Sequence, residues 1–230
     1  MGSVLRSLAF YLLFYGGSMI VVPAGAIAIP ISRPAMLAIA RAWAGWHRWL
    51  VVHVLGIEVR IEGEPLVPGA LLAVRHESFF EAVDMPFLLD RPVVFAKAEL
   101  MRIPFWGWVA RSYGLISVDR ESGAKALRAM IAAARAANAD QRQLVIFPEG
   151  TRVPAGQAAP LQSGFAGLYK LLALPVVPVS VNSGDLYHRR WKRRGTITYH
   201  FGAPIPAGLP RDEIEARVLA AISPAERKPD

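Results

Sequence analysis

Between Arg6 and Arg33 the chain carries no charged residue. That uncharged span, Ser7 to Ser32, is 26 residues long, enough to cross a bilayer core of ~30 Å as a helix. Pro23 and Pro30 interrupt it, and Gly16, Gly17 and Gly25 loosen it. A kinked or re-entrant segment therefore fits as well as one straight helix. A cleaved leader is a third reading, from Arg6, the apolar run and Ala24-Gly25-Ala26. The apolar run continues past that would-be cleavage site, which counts against it. From Pro34 to Val54 the pattern changes. Met36, Ile39, Ala40, Trp43, Trp46, His47, Leu50 and Val54 recur at helical spacing, with Arg41 and Arg48 on the other side. Tryptophan with arginine on an amphipathic helix suits the headgroup boundary. A helix packed on the protein's own core is the alternative.

From Gly56 onward, short apolar runs alternate with helical patterns. Strands are expected at Val59–Ile61, Ala70–Val74, Val93–Ala96, Leu115–Val118, Leu144–Phe147, Val176–Val181 and Thr196–Phe201. Helices are expected at Ser78–Leu89, Ser122–Asn138, Gly164–Ala173 and Arg211–Ile222, the second with Leu127, Met130, Ile131 and Ala134 on one face. This alternation indicates an α/β fold, with a mixed, largely internal β-sheet flanked by helices and an N-terminal membrane-associated helical segment. The expected organisation is an N-terminal helical region over 1–55, one domain over 56–223 and a frayed tail over 224–230.

Composition sharpens the setting. A chain of 230 residues can build one sizeable core. It is 53% hydrophobic and carries a net charge of +8, with a mean hydropathy of +0.32. Greasy and basic together point to an anionic membrane surface before nucleic acid, for which no zinc-finger, helix-turn-helix or RNP pattern is present. The absence of cysteine excludes disulfides, thiolate metal sites and a cysteine nucleophile.

In open α/β sheets, ligands sit at the carboxyl ends of strands. Three polar clusters fall at such ends: His76 to Glu81, Asp119-Arg120, and Glu149 to Arg152. His76 is a candidate general base, able to take a proton from a substrate hydroxyl. Among its neighbours, Glu77 is adjacent and points away, Asp84 is a minor candidate, and Glu81 is the preferred partner. Ser78-Phe-Phe-Glu81 also reads as a capping box, which would start a helix just past His76 and bring Glu81 back toward it. In Phe147-Pro-Glu-Gly-Thr-Arg152, Gly150 allows close backbone approach, Thr151 offers a hydroxyl and Arg152 a planar fork suited to phosphate. Glu149 would be repelled by phosphate and is suited to hold an arginine or a ligand hydroxyl. Arg120 is a second candidate fork, with Asp119 to orient it. No nucleophile-elbow serine and no metal-ligand spacing accompanies them. Direct attack by a substrate hydroxyl is therefore preferred over a covalent acyl-enzyme.

His76-x-Ser78-x-x-Glu81, Gly114-Leu-Ile-Ser-Val-Asp-Arg120, Phe147-Pro-Glu-Gly-Thr-Arg152 and Pro175-Val-Val-Pro-Val179 follow one another in order. Together they resemble the four motif blocks of the glycerolipid acyltransferases, specifically the 1-acylglycerol-3-phosphate acyltransferases. The resemblance runs from about Gly63 to Phe201, and Lys97 to Gly107 is similar to the family's segment between the first two blocks. It implies transfer of a fatty acyl group from a thioester to the 2-hydroxyl of lysophosphatidic acid, giving phosphatidic acid. It assigns His76 as base, oriented by Glu81, and Arg120, Glu149, Gly150, Thr151 and Arg152 to the glycerol phosphate. No metal or prosthetic group is implied; acyl-CoA or acyl-carrier protein is a co-substrate. The implied setting is the membrane, at the cytoplasmic face of a bacterial inner membrane, with membrane lipids as partners and no nucleic acid.

The chain departs from the pattern in two places. The common first block is H-x-x-x-x-D, and here the acid is Glu81, one methylene longer. Many members carry basic residues after the third block, where this chain has Leu161-Gln-Ser-Gly-Phe165 and Lys170 is the nearest cation. Two alternatives stay open: the same chemistry on another lysophospholipid or lyso-aminolipid, and a lipid-binding protein without catalysis. The basic stretch Arg189, Arg190, Lys192, Arg193 and Arg194 around Trp191 suits anionic lipid, the phosphates of CoA or an acidic carrier protein, or is a solvated loop.

Overall fold

The computed structural model of the chain describes residues 2–65, 67–118 and 123–223, with the backbone alone over 123–127. Asp119, Arg120, the Leu127 side chain and the tail over 224–230 lie outside the described residues.

All seven expected strands form, with ends shifted by one or two residues: β1 (Ile57–Glu62), β2 (Leu71–Val74), β3 (Val93–Lys97), β4 (Ile116–Val118), β5 (Leu144–Ile146), β6 (Val176–Val181) and β7 (Gly195–Phe201). They make one sheet in the order β1-β7-β6-β2-β5-β3-β4. Neighbours from β6 through β4 are parallel, whereas β7 runs antiparallel to β6 and carries β1 parallel to itself. The sheet is mixed, and its central strands β2, β5 and β6 are covered on both faces, as their near-continuous apolar runs require, while the edge strand β1 is largely exposed.

The period-two alternation of β2 divides the core. Leu72 and Val74 face one side, with Val145, Val179 and Tyr199 against Phe10, Phe14, Leu50 and Phe80. Leu71 and Ala73 face the other, with Val176 against Ile131, Phe165, Leu168, Ile214 and Val218. The first side is covered by α1 (Gly2–Ala28), α2 (Arg33–Leu50) and α3 (Phe80–Leu88), the second by α5 (Gly123–Ala139), α6 (Ser163–Leu172) and α8 (Arg211–Ile222). Two further helices, α4 (Trp106–Tyr113) and α7 (Gly184–Tyr187), were not expected from periodicity. Both are short, and Gly107 shows why α4 forms where it does. A side chain there would meet the Met101 carbonyl oxygen at 2.1 Å, so only glycine permits this tight entry.

The N-terminal span is one continuous helix of 27 residues with Pro23 inside it, about 40 Å long. It turns at residues 29–32 into α2, where Ser32 caps Ala35 N at 3.3 Å and Pro34 occupies the first turn. The helix α2 ends in a π-helical turn, Val51–Leu55. The pair packs as a hairpin, with Trp43 Nε1 donating to Ser18 Oγ at 2.8 Å. The outer side of α1 stays apolar: Leu12, Met19 and Ile20 are each more than 70% exposed.

The placing of α2 corrects the expected polar side. Arg48 is turned inward, not toward solvent or headgroups. It makes a bidentate pair with the fully buried Asp84 of α3, through Nε to Oδ1 at 2.8 Å and a second, shorter contact to Oδ2. Tyr199 donates to the same carboxylate at 3.1 Å. His47, also buried, meets Tyr187 Oη at 2.8 Å through Nε2, and burial pushes its pKa down to about 3. The α2 helix is thus clamped to the body by polar contacts that its periodicity does not announce. Breaking one partner of a buried pair strands the other. Asp84→Ala is expected to cost about 3–5 kcal/mol, read as a lower Tm in detergent, while a double variant, Arg48→Met with Asp84→Leu, made in a Tyr199→Phe background, recovers most of the loss. A double variant as unstable as Asp84→Ala would refute this account of the clamp.

Candidate active site

Three adjacent parallel strands, β6, β2 and β5, deliver their carboxyl ends to one edge of the sheet. His76 lies two residues past β2, Glu149 three past β5 and Ser183 two past β6. The strand β4 ends on the same edge, at Val118. Loop hydrogen bonds fasten the turns to one another. Arg75 N donates to Val179 O at 2.9 Å, and Val153 N donates to His76 O at 2.7 Å.

The structure brings His76 and Glu81 together, with Nδ1 and Oε1 3.0 Å apart. The Glu81 carboxylate is fully buried. Its Oε1 also accepts the backbone N–H groups of Glu77 and Ser78, each at 2.6 Å. Its Oε2 receives Ser78 Oγ at 3.0 Å and Ser183 Oγ at 2.7 Å. Burial by itself would push this carboxyl up. The His76 hydrogen bond and charge, with the Ser183 and Ser78 donors, outweigh it and hold Glu81 below its ordinary value. An ionised carboxylate only accepts, so the shared proton sits on His76 Nδ1 and leaves Nε2 as an acceptor. The ring stacks on Phe147, with centroids 4.3 Å apart. The capping geometry coexists with this role: Phe80 N donates to Ser78 Oγ at 3.1 Å while Glu81 serves both the loop N–H groups and the imidazole.

The other acids near His76 are engaged elsewhere. Glu77 pairs with the buried Arg75, Nε to Oε1 at 2.7 Å, and its Oε2 accepts Gly184 N at 2.9 Å. Asp84 belongs to the Arg48 clamp. Glu149, which the resemblance assigns to the glycerol phosphate, is not among the described cavity-lining residues and sits beside Arg75. It is buried, its Oε2 accepts His76 N at 3.2 Å, and its Oε1 lies 3.9 Å from Arg75. Among the described residues, Oε1 has no hydrogen-bond partner. Burial pushes the Glu149 carboxyl up to about 7, against the pull of Arg75 and of the His76 N–H. Its contact with the His76 N–H supports the backbone of that residue.

His76 stands on the wall of a cavity of about 760 Å³. Gly150, Thr151 and Arg152 border the same space, and Arg152 and Thr151 are exposed. Gly150 has φ +67°, a conformation that favours glycine. Ser117 and Val118, just before the Asp119-Arg120 pair, also line the cavity. Its far wall is apolar and comes from the N-terminal hairpin, through Val21, Gly25, Ile39 and Trp43. Lys170 is exposed on α6 and is not among the described cavity-lining residues. In the basic stretch, Arg189, Arg190, Arg193 and Arg194 are exposed, but Lys192 is buried. Its Nζ donates to Tyr187 O at 2.7 Å and lies 3.8 Å from the Tyr187 ring centroid, and burial lowers its pKa to about 8.

Sequence reasoning missed Arg75 and Ser183. The available signal was position: Arg75 directly follows the fully buried strand β2, and Ser183 follows β6 as His76 follows β2.

The acyltransferase family model matches residues 57–182, a span that holds His76, Glu81 and Glu149 to Arg152. The 1-acyl-sn-glycerol-3-phosphate acyltransferase of Pseudomonas aeruginosa is 27% identical over 209 residues, covering 88% of this chain and 81% of that protein. The enzyme of the same name from Haemophilus influenzae is 28% identical over 198 residues, covering 84% and 80%. The crystal structure of the 1-acyl-sn-glycerophosphate (LPA) acyltransferase PlsC from Thermotoga maritima has the same fold. Its TM-score is 0.77 at 19% identity, over 96% of this chain and 94% of that one. The match of the family model over more than half of the chain makes this protein a member of the acyltransferase family.

Proposed function

We propose that the protein transfers a fatty acyl group from an acyl thioester, acyl-CoA or acyl-carrier protein, to the 2-hydroxyl of lysophosphatidic acid, giving phosphatidic acid. The observation that carries this reading is the His76–Glu81 pair on the wall of an apolar cavity that also presents Arg152 and Thr151. The cavity has the volume of a pocket for a drug-sized ligand or larger. Its apolar far wall suits an acyl chain, and the polar rim suits a phosphate. The names of the relatives support the acceptor.

In the proposed step, His76 Nε2 takes the proton of the acceptor hydroxyl as its oxygen attacks the thioester carbonyl. Glu81 stabilises the imidazolium that forms. The tetrahedral intermediate collapses, the C–S bond breaks, and the thiolate receives the proton from His76. Arg152, Thr151 and the Gly150 backbone, with Arg120, hold the acceptor phosphate. The acyl donor is a co-substrate, and no resident cofactor takes part. The exposed apolar side of α1, long and apolar enough by composition to cross a membrane, supports work at a bilayer, in our reading the cytoplasmic face of a bacterial inner membrane.

The decisive assay uses purified protein with an oleoyl thioester and lysophosphatidic acid. His76→Ala should lose roughly 10²–10⁴-fold in kcat, and Glu81→Ala roughly 100-fold or more. Equal trace transfer by wild type and His76→Ala would defeat the proposal. Asp84→Ala should retain its activity per folded molecule. Arg152→Ala should raise the KM for the acceptor roughly tenfold or more, and an unchanged KM would count against the phosphate assignment.

Glu149 gives a separate pH signature. The unfolded chain releases this proton near the ordinary value of 4.5 and the folded chain near 7. Within that window the folded state binds more protons, so this group makes stability fall as pH rises. Glu149→Gln should flatten the decline of Tm between those two values. A slope identical to wild type would place the titration elsewhere.

Membrane attachment is checked by extraction. The intact chain should stay with the membrane in high salt, and its release by salt alone would rule out an embedded α1.

A further inference from the structure

Ser183 has no part in the chemistry above, yet it is fully buried against the acid of the pair. We propose that Ser183 is a positioning residue for His76 and Glu81: with Ser78 it forms a two-hydroxyl clamp on the second oxygen of Glu81. The proposal rests on the acyl-transfer reading of the same site.

The geometry is a triangle of oxygens. Ser183 Oγ lies 2.7 Å from Glu81 Oε2, Ser78 Oγ lies 3.0 Å from it, and the two hydroxyls are 2.7 Å apart. Each hydroxyl has one proton to give, and the carboxylate has none. Two protons therefore serve three edges. Both cannot occupy the edge between the serines without colliding, so Oε2 always receives at least one. With Oε2 held in this way, Oε1 cannot swing off His76 Nδ1, and Nε2 stays aimed as the proton acceptor.

Ser183 is well placed to act as the fixed arm. Its carbonyl accepts Tyr187 N at 2.8 Å, starting α7, and the next residue, Gly184, donates its N–H to Glu77 Oε2 at 2.9 Å. Tyr187 in turn meets His47 of α2. The hydroxyl is thus anchored by β6, by the Arg75–Glu77 pair and by the N-terminal hairpin, all independent of Glu81. The clamp is also matched to the reach of a glutamate. Shortening Glu81 by one methylene, about 1.5 Å, would leave the carboxylate unable to serve the serines and the imidazole together.

The test compares Ser183→Ala, Ser183→Thr and Glu81→Asp with wild type in the oleoyl-transfer assay, with Tm measured in parallel. Ser183→Ala should lower kcat about tenfold with the KM of both substrates unchanged. Its acidic limb of kcat/KM should move to higher pH, because a carboxylate that has lost a donor stabilises the imidazolium more strongly. Arg75, Glu77, Asp84, Glu149, Arg152, Tyr187, His188 and Tyr199, the other charged or titratable groups described around the pair, are the same in all variants. Ser183→Thr keeps the hydroxyl and should keep most of the activity, whereas Glu81→Asp should be impaired. If the alanine variant does not fold, Ser183→Cys, similar in size but a weak donor, takes its place with the same expectations. The clamp is overturned if Ser183→Ala keeps the wild-type kcat and acidic limb, or if it loses activity equally at every pH in proportion to its unfolded fraction. Wild-type protein without transfer activity would overturn the function and the clamp with it; an active wild type with an indifferent Ser183→Ala overturns the clamp alone.

Discussion

Glu81 has no contact with solvent, and a carboxylate in that position stays charged only where donors replace its water. It finds them on two strands. The loop after β2 contributes backbone N–H groups, a hydroxyl and the imidazole, and the end of β6 contributes a second hydroxyl. Those groups converge only because β2 and β6 are parallel neighbours whose carboxyl ends lie on the same edge. The loop between His76 and Phe80 therefore serves a helix start and the His76–Glu81 pair with the same few atoms.

Further buried charges keep that edge in place. Arg75 is held between Glu77 and Glu149 and also donates to the Gln157 carbonyl at 2.6 Å, so it ties the β2 end to the loop after β5. Arg48 and Asp84 do the same between α2 and α3. Pairs of this kind add little to net stability, because desolvation offsets their attraction, but losing one partner is costly. Their effect is to make one arrangement of the loops much better than its neighbours. For the proton transfer proposed at His76, that selectivity matters more than the stability.

The cavity draws on both parts of the chain. Its polar rim comes from the sheet edge, and its apolar wall comes from the N-terminal hairpin. The same hairpin turns Phe10 and Phe14 inward and leaves Leu12, Met19 and Ile20 outside. A helix apolar all round is thus used twice, once as core and once as an exposed apolar surface.

The sequence by itself determined the elements. Period-two and period-3.6 patterns located the seven strands, the long helices and the uncharged N-terminal span, because burial on one face or two leaves that trace in the order of residues. It also determined the residues at the ends of β2 and β5, since polar clusters after apolar runs stand out locally. The short helices α4 and α7 left no such trace, and Gly107 acts through a carbonyl that folding brings beside it. The tertiary structure alone decided the partners. That Glu149 supports the His76 backbone, that Arg48 turns inward to Asp84, and that Ser183 closes on Glu81 across 102 positions of chain all depend on strand order. Strand order is fixed by packing between segments distant in sequence, and no local pattern records it.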